Sequence, residues 1–186
     1  MRRARGGWRQ VALGLGCAAT LATAASAQEG FRPYEVTERH DPTGEQVVFV
    51  KHDSYLADAR GRLSMNLQRT TSSTARVSYQ LFLTYDGPDW MLIDGDAPAV
   101  IGIDGARAEA QPFGRALTYT TAERVTERQA YRIDPDVLRR MASAREVRLA
   151  LPGRRFTQQV RFSRDNFRIV RAFVARYVPP PAVSVR

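Results

Sequence analysis

Cysteine and lysine are almost absent from the 186-residue chain, which has one cysteine, Cys17, and one lysine, Lys51. Cys17 lies in an N-terminal segment that we predict to be removed, so the mature chain would form no internal disulfide. The same scarcity excludes thiol nucleophiles and zinc sites built on thiolates. Nearly all positive charge is arginine, whose planar guanidinium suits paired hydrogen bonds to carboxylates and phosphates.

Motifs of catalytic and nucleotide-binding sites are also missing. The sequence has no G-x-S-x-G nucleophile elbow, no H-E-x-x-H zinc motif and no phosphate-binding loop. Its two histidines, His40 and His52, are each followed by an aspartate. Because a carboxylate can orient an imidazole as a base or metal ligand, the alternative function is a small periplasmic enzyme or metal-binding protein using His52 or His40. We assign no catalytic residue, no metal site and no cofactor.

Three aspartates, Asp94, Asp96 and Asp104, are of the residue type that Ca²⁺ prefers. Pro98 interrupts the spacing of a calcium loop, and glycines beside these residues favour turns instead. The pattern therefore predicts tight connections between short strands.

No apolar run reaches the roughly 20 residues of a membrane-spanning helix. The most apolar segment, 11–24, follows an arginine-rich start and ends at Ala25, Ser26 and Ala27. This order predicts a secretory signal peptide over residues 1–27, cleaved after Ala27. We therefore expect a periplasmic or extracellular protein with no transmembrane span in the mature chain; lipidation of Cys17 and twin-arginine export remain open.

After this cleavage, the sequence predicts one α+β domain over 28–178 and a proline-rich tail over 179–186. Charge divides unevenly along the mature chain. Residues 28–123 hold 9 basic and 14 acidic side chains, whereas 124–186 hold 15 basic and 5 acidic ones. The C-terminal part is therefore the more cationic, which favours an anionic partner.

Alternating polar and apolar residues dominate the middle of the chain and are typical of strands with one buried face. Two such segments, 63–67 and 77–85, should form an antiparallel pair. Together with Asp-Gly and Pro-Gly turns, the pattern predicts mainly antiparallel sheet, either sandwich-like or strongly curved. The predicted strands are 34–39, 46–51, 63–67, 77–85, 90–93, 100–103, 106–111, 117–121, 124–133, 147–151 and 156–162.

Two helices are predicted in the C-terminal third. Asp134 and Pro135 begin a short helix near 135–144. Ser163 caps an amphipathic helix near 164–178, in which Phe167, Val170, Val174 and Tyr177 form the apolar stripe.

Arginines opposite that stripe are the candidate binding residues. Arg164, Arg168 and Arg171 follow at i, i+4 and i+7, and Arg148 and Arg161 lie nearby in sequence. Such a surface can bind lipid phosphates or an acidic protein. We therefore expect a non-enzymatic binding or scaffold protein of the bacterial cell envelope; export disfavours nucleic acid as a partner, and the sequence does not determine the oligomeric state.

Overall fold

The computed structural model describes residues 35–40, 42, 44–51, 55–58 and 60–180. The predicted signal peptide, His52 and most of the proline-rich tail lie outside the described residues. The structure is an antiparallel sheet with two helices, as the α+β prediction requires. Its elements are β1 (Glu35–His40), β2 (Gln46–Lys51), β3 (Tyr55–Asp58), β4 (Gly61–Thr71), β5 (Val77–Gly87), β6 (Ala99–Ile103), β7 (Ala106–Thr120), β8 (Val125–Arg132), α1 (Pro135–Ser143), β9 (Val147–Leu151), β10 (Gln158–Arg161) and α2 (Arg164–Tyr177).

The strands form one sheet in the order β1-β2-β4-β5-β8-β7-β6-β9-β10, with β3 paired separately to β4. The predicted pairing of 63–67 with 77–85 is confirmed, since Leu67 lies opposite Leu81 and Leu63 opposite Tyr85. Because side chains alternate across a strand, this register places the apolar residues of both strands on one face. We call it the inner face, and the opposite side the outer face.

The core lies on the inner face. Leu63, Met65 and Leu67 of β4 and Leu81 and Leu83 of β5 are fully buried. The helices contribute to the same cluster, α1 through its buried leucine and methionine and α2 through its isoleucine, valine and phenylalanine. The outer face of β1, β2, β4, β5, β8 and β7 carries no described helix.

Local signals explain where the helices begin. The Asp134 side chain accepts a hydrogen bond from the Asp136 N–H at 2.6 Å, and Pro135 occupies the first turn. Ser163 and Asn166 form a reciprocal capping box. Both observed helices lie within one residue of the predicted limits, because caps and prolines act locally.

The buried face of α2 differs from the predicted stripe. Ile169, Val170 and Phe173 are buried, while Phe167 and Val174 pack at the side of the core. The prediction omitted the isoleucine and the phenylalanine because the three- and four-residue spacing accommodates either of two overlapping stripes.

The strand β7 corrects a second prediction. It is one strand of 15 residues where the sequence predicted two. Its first part pairs with β6 and the remainder with β8, with an irregularity between Phe113 and Leu117. Gly114 supplies the positive φ of 72° at that point. A bulge thus interrupts the alternation without ending the strand.

Residues 90–93 are not a strand, contrary to prediction. The segment is held instead by the buried Glu127 carboxylate, whose oxygens accept the N–H groups of Met91, Leu92 and Ile93 at 2.7, 2.9 and 2.7 Å. Leu92 has a positive φ of 55°, which a regular strand does not contain. A single bridge joins Ile93 to Gly153.

Within the part of the chain that the structure describes, neither helix has the length and apolar character needed to cross a membrane.

Candidate functional site

The outer face carries a row of apolar side chains on three neighbouring strands. Ala130 of β8 lies opposite Phe82 of β5 on one side and opposite Phe113 of β7 on the other. Directly opposed side chains in a sheet have Cβ atoms about 5 Å apart. The methyl group of Ala130 is therefore a low floor between two aromatic rings.

Arginines of the same strand cover these rings. Arg128 precedes Ala130 by two residues and places its guanidinium 4.4 Å from the Phe82 ring centroid. Arg132 follows by two residues and lies 4.5 Å from the centroid of Phe113. Both distances are within the range of cation–π attraction. The spacing of two brings both arginines to the side of the sheet that Ala130 faces.

Around Arg128 the face forms a groove with a volume of about 440 Å³. Phe49 of β2 meets Phe82 edge to face, with ring centroids 5.8 Å apart, and extends the apolar wall. We call this site the Arg–Phe groove; it is lined by Arg39, Phe49, Gln68, Phe82, Arg115, Leu117, Arg128 and Ala130.

The groove has a strong excess of positive charge. Arg39, Arg115 and Arg128 form no ion pair with a carboxylate among the described residues. The Nε atom of Arg128 is buried and has no hydrogen-bond partner there. An unpaired guanidinium that is partly removed from water attracts an anion more strongly than a fully solvated one.

Asp86, an acid on the same face, is already paired. Asp86 of β5 accepts a hydrogen bond from Arg124 Nε at 2.7 Å, and this contact raises the pKa of the Arg124 guanidinium. Asp86 is therefore engaged by Arg124, which does not line the groove.

Exposed apolar residues continue from the groove along β7. Leu117 lies opposite Arg128, and Tyr119 lies opposite Thr126 on the same face. Their exposed fractions are 49% and 62%, and that of Phe113 is 37%. Exposed apolar side chains that are grouped on one face are a common feature of interaction surfaces.

The predicted binding residues of α2 are on the surface. Arg164, Arg168 and Arg171 are exposed. Arg168 pairs with Asp165 at 3.5 Å, and Arg171 Nε donates to the Ala142 carbonyl at 2.9 Å. Two of the three guanidiniums are therefore engaged with the protein itself.

The other two predicted residues, Arg148 and Arg161, share one acid. Arg148 Nε lies 2.6 Å and Arg161 Nε 3.5 Å from Glu146 Oε1. The hydrogen bond from Arg148 is the main cause of the lowered pKa of Glu146. Both arginines face outward on β9 and β10, beside Gly102.

The described residues give little support to the alternative, a histidine or metal site. His40 is exposed at the end of β1, and His52 lies outside the description. The carboxylate of Asp94 accepts the N–H of Asp96, and that of Asp104 accepts the N–H of Glu146. The described residues contain no group of three or more acids, histidines or cysteines placed to hold a metal.

Buried polar groups behind the groove belong to the core. Glu127, Gln129 and Tyr131 alternate with the outward residues of β8 and face inward. Burial, helped by Asp94, raises the pKa of Tyr131. The Glu127 carboxylate is already bound to three backbone N–H groups, so its observed role is structural.

The groove was not predicted from the sequence, because the predicted binding residues were those of the most cationic stretch of the chain. A local signal was present: Arg128, Ala130 and Arg132 alternate with the inward residues of β8. Phe49, Phe82 and Arg39 come from distant segments, and only strand pairing brings them to the same place.

Comparison with protein-family models, with curated proteins and with solved structures gave no match.

Proposed function

We propose that the protein is an exported, non-enzymatic binding protein for an anionic component of the bacterial cell envelope, and that the Arg–Phe groove is its main contact surface. The observation that carries this proposal is the combination of three arginines without a carboxylate partner in the described residues and the two phenylalanines beside them. Guanidinium groups recognise carboxylates and phosphates through paired hydrogen bonds.

Export is supported by the order of the N-terminal residues: arginines, an apolar run and Ala25-Ser26-Ala27. Expression in a Gram-negative host followed by mass measurement of the periplasmic protein tests this part. The expected mass is that of a chain that begins at Gln28. An uncleaved chain in the cytoplasm would count against export.

The α2 arginines form a second, weaker contact in this proposal. Arg164 has no partner among the described residues and lies on the same exposed side as Arg168 and Arg171. Its role is to add electrostatic attraction, since the other two guanidiniums already have protein partners. An amphipathic α2 and a sandwich-like or strongly curved sheet remain part of the same proposal.

Anion binding at the groove can be tested with two fluorescent dyes of similar size. Anilinonaphthalene sulfonate is anionic, and N-phenyl-1-naphthylamine is neutral. We expect the anionic dye to bind more tightly and Arg128→Met to weaken it about tenfold, the loss typical of one charge-assisted hydrogen bond.

Arg107→Met is the matched control. Arg107 is an exposed arginine of β7 that pairs with Glu109 outside the groove. Unchanged dye affinity in Arg128→Met and Arg115→Met, or an equal loss in the control, would show that the groove is not the anion site.

A further inference from the structure

We propose that the ligand of the Arg–Phe groove is a single-chain anionic amphiphile, with a carboxylate or phosphate head group and an alkyl chain. This inference rests on the proposed function and specifies its ligand. Charge alone would admit any anion, and the apolar part of the face supplies the additional information.

The row of apolar side chains on the outer face lies next to the cationic part of the groove. Phe82, Ala130 and Phe113 form one row across three strands, and Leu117 lies opposite Arg128 in the next row of the same face. A small anion would use only the guanidiniums and leave this surface in water. An alkyl chain laid over Ala130 would lie between the two arginine-capped rings and gain the free energy of apolar burial there.

The arrangement of the arginines fits the head group. Arg128 rests on Phe82 but has no carboxylate partner among the described residues, and Arg115, from the bulged part of β7, is exposed. These two residues line the same groove as Ala130. A head group bound by them places the first methylenes of the chain at the phenylalanine rings.

The volume favours one chain. About 440 Å³ lies in the lower part of the range for small-ligand sites, which is roughly 300–1,000 Å³. A free single-chain molecule is therefore the proposed occupant, and a bilayer surface is the competing source of the same chemistry.

Displacement of the bound sulfonate dye by a series of alkyl carboxylates, from butyrate to decanoate, tests the chain. All concentrations stay below those at which micelles form. Full burial of a methylene improves affinity about fourfold, so contact along one side of the chain should give about twofold per methylene and about 60-fold over the series. Decanol and decyltrimethylammonium should displace the dye at least tenfold less well than decanoate.

A substitution that fills the space above Ala130 provides the second measurement. Ala130→Leu retains every arginine and adds bulk between the two rings, so decanoate should bind at least tenfold more weakly while butyrate is affected much less. Ala150→Leu is the matched control, because Ala150 also faces outward, on β9, outside the groove. Circular dichroism is used to check that both variants fold. The chain-length series is measured on the natural protein and does not depend on either variant.

The outcomes separate the two proposals. Binding of the anionic dye that butyrate and decanoate displace equally would overturn the amphiphile and leave anion binding intact. Binding only to phosphatidylglycerol vesicles, with no displacement by monomeric decanoate, would also overturn it in favour of a membrane surface. Failure of every anion to bind would remove the proposed function itself.

Discussion

The carboxylate of Glu127 should be one of the largest single contributors to stability in this fold. It is 2% exposed and accepts three backbone N–H groups from the segment containing Met91, Leu92 and Ile93. The segment needs such a partner because the left-handed conformation of Leu92 costs about 1–2 kcal/mol. Removing the acceptor releases that strain only if the segment leaves its site.

Glu127→Gln should lower the free energy of unfolding by about 3 kcal/mol. The amide oxygen can replace one carboxylate oxygen as a neutral acceptor, but the amide NH₂ then meets a buried N–H donor. Loss of one hydrogen bond to a charged group costs about 1.5–3 kcal/mol, and a buried donor without an acceptor costs about 1–3 kcal/mol. Glu127→Ala removes both acceptors and should cost about 4 kcal/mol or more.

Urea denaturation followed by far-ultraviolet circular dichroism measures the free energy of unfolding of both variants. The comparison holds when the slope of that free energy against urea concentration is the same in each protein. Glu109→Gln is the control, since Glu109 forms an exposed pair with Arg107, and such pairs contribute less than about 1 kcal/mol. In a heating experiment, a loss of 3 kcal/mol corresponds to about 6–12 °C for a chain of this size. A loss below about 1 kcal/mol in Glu127→Gln would refute this account of the segment.

Two further predictions concern the same region. Gly153→Ala should destabilise the fold by about 1–3 kcal/mol, because the added Cβ would lie 2.6 Å from Met91 Cγ and from the Met91 carbonyl oxygen. Gly95→Ala is its control, since the nearest atom there is 3.9 Å away; equal thermal midpoints of the two variants would contradict the prediction. Because burial raises the pKa of Tyr131, the folded chain keeps this phenol protonated above about pH 10, where an unfolded tyrosine ionises. Stability should therefore fall by up to about 1.4 kcal/mol per pH unit above pH 10 and be unaffected by this group below it. Tyr131→Phe should flatten that decline, and parallel pH profiles of the two proteins would show the assignment to be wrong.

Features that depend on neighbouring residues were predictable from the sequence. Alternation in β4 and β5 follows from the two-residue repeat of a strand, and the beginnings of α1 and α2 follow from Asp134, Pro135 and Ser163. The segment 90–93 shows the limit of such reasoning. Its apolar residues resemble a strand, but Glu127, 34 positions beyond Ile93, holds it in another conformation.

The candidate site could not be predicted either, because its residues also come together from segments that are distant in sequence. Arg164, Arg168 and Arg171 were predicted from their helical spacing, and Arg148 and Arg161 from their closeness in sequence. The structure pairs two of them with Glu146, one with Asp165 and one with a backbone carbonyl. Whether an arginine keeps its charge uncompensated depends on which acids the fold places beside it.

By itself, the sequence determined the class of the protein: a cysteine-poor α+β chain, mainly antiparallel, with two capped helices and an arginine-rich C-terminal part. These properties come from composition and from periodicities of two and about 3.6 residues, which backbone geometry imposes on each segment separately. Only the tertiary structure decided that Ala130 lies between Phe82 and Phe113, because strand order and register arise from burying many segments together. The Arg–Phe groove is a product of that pairing.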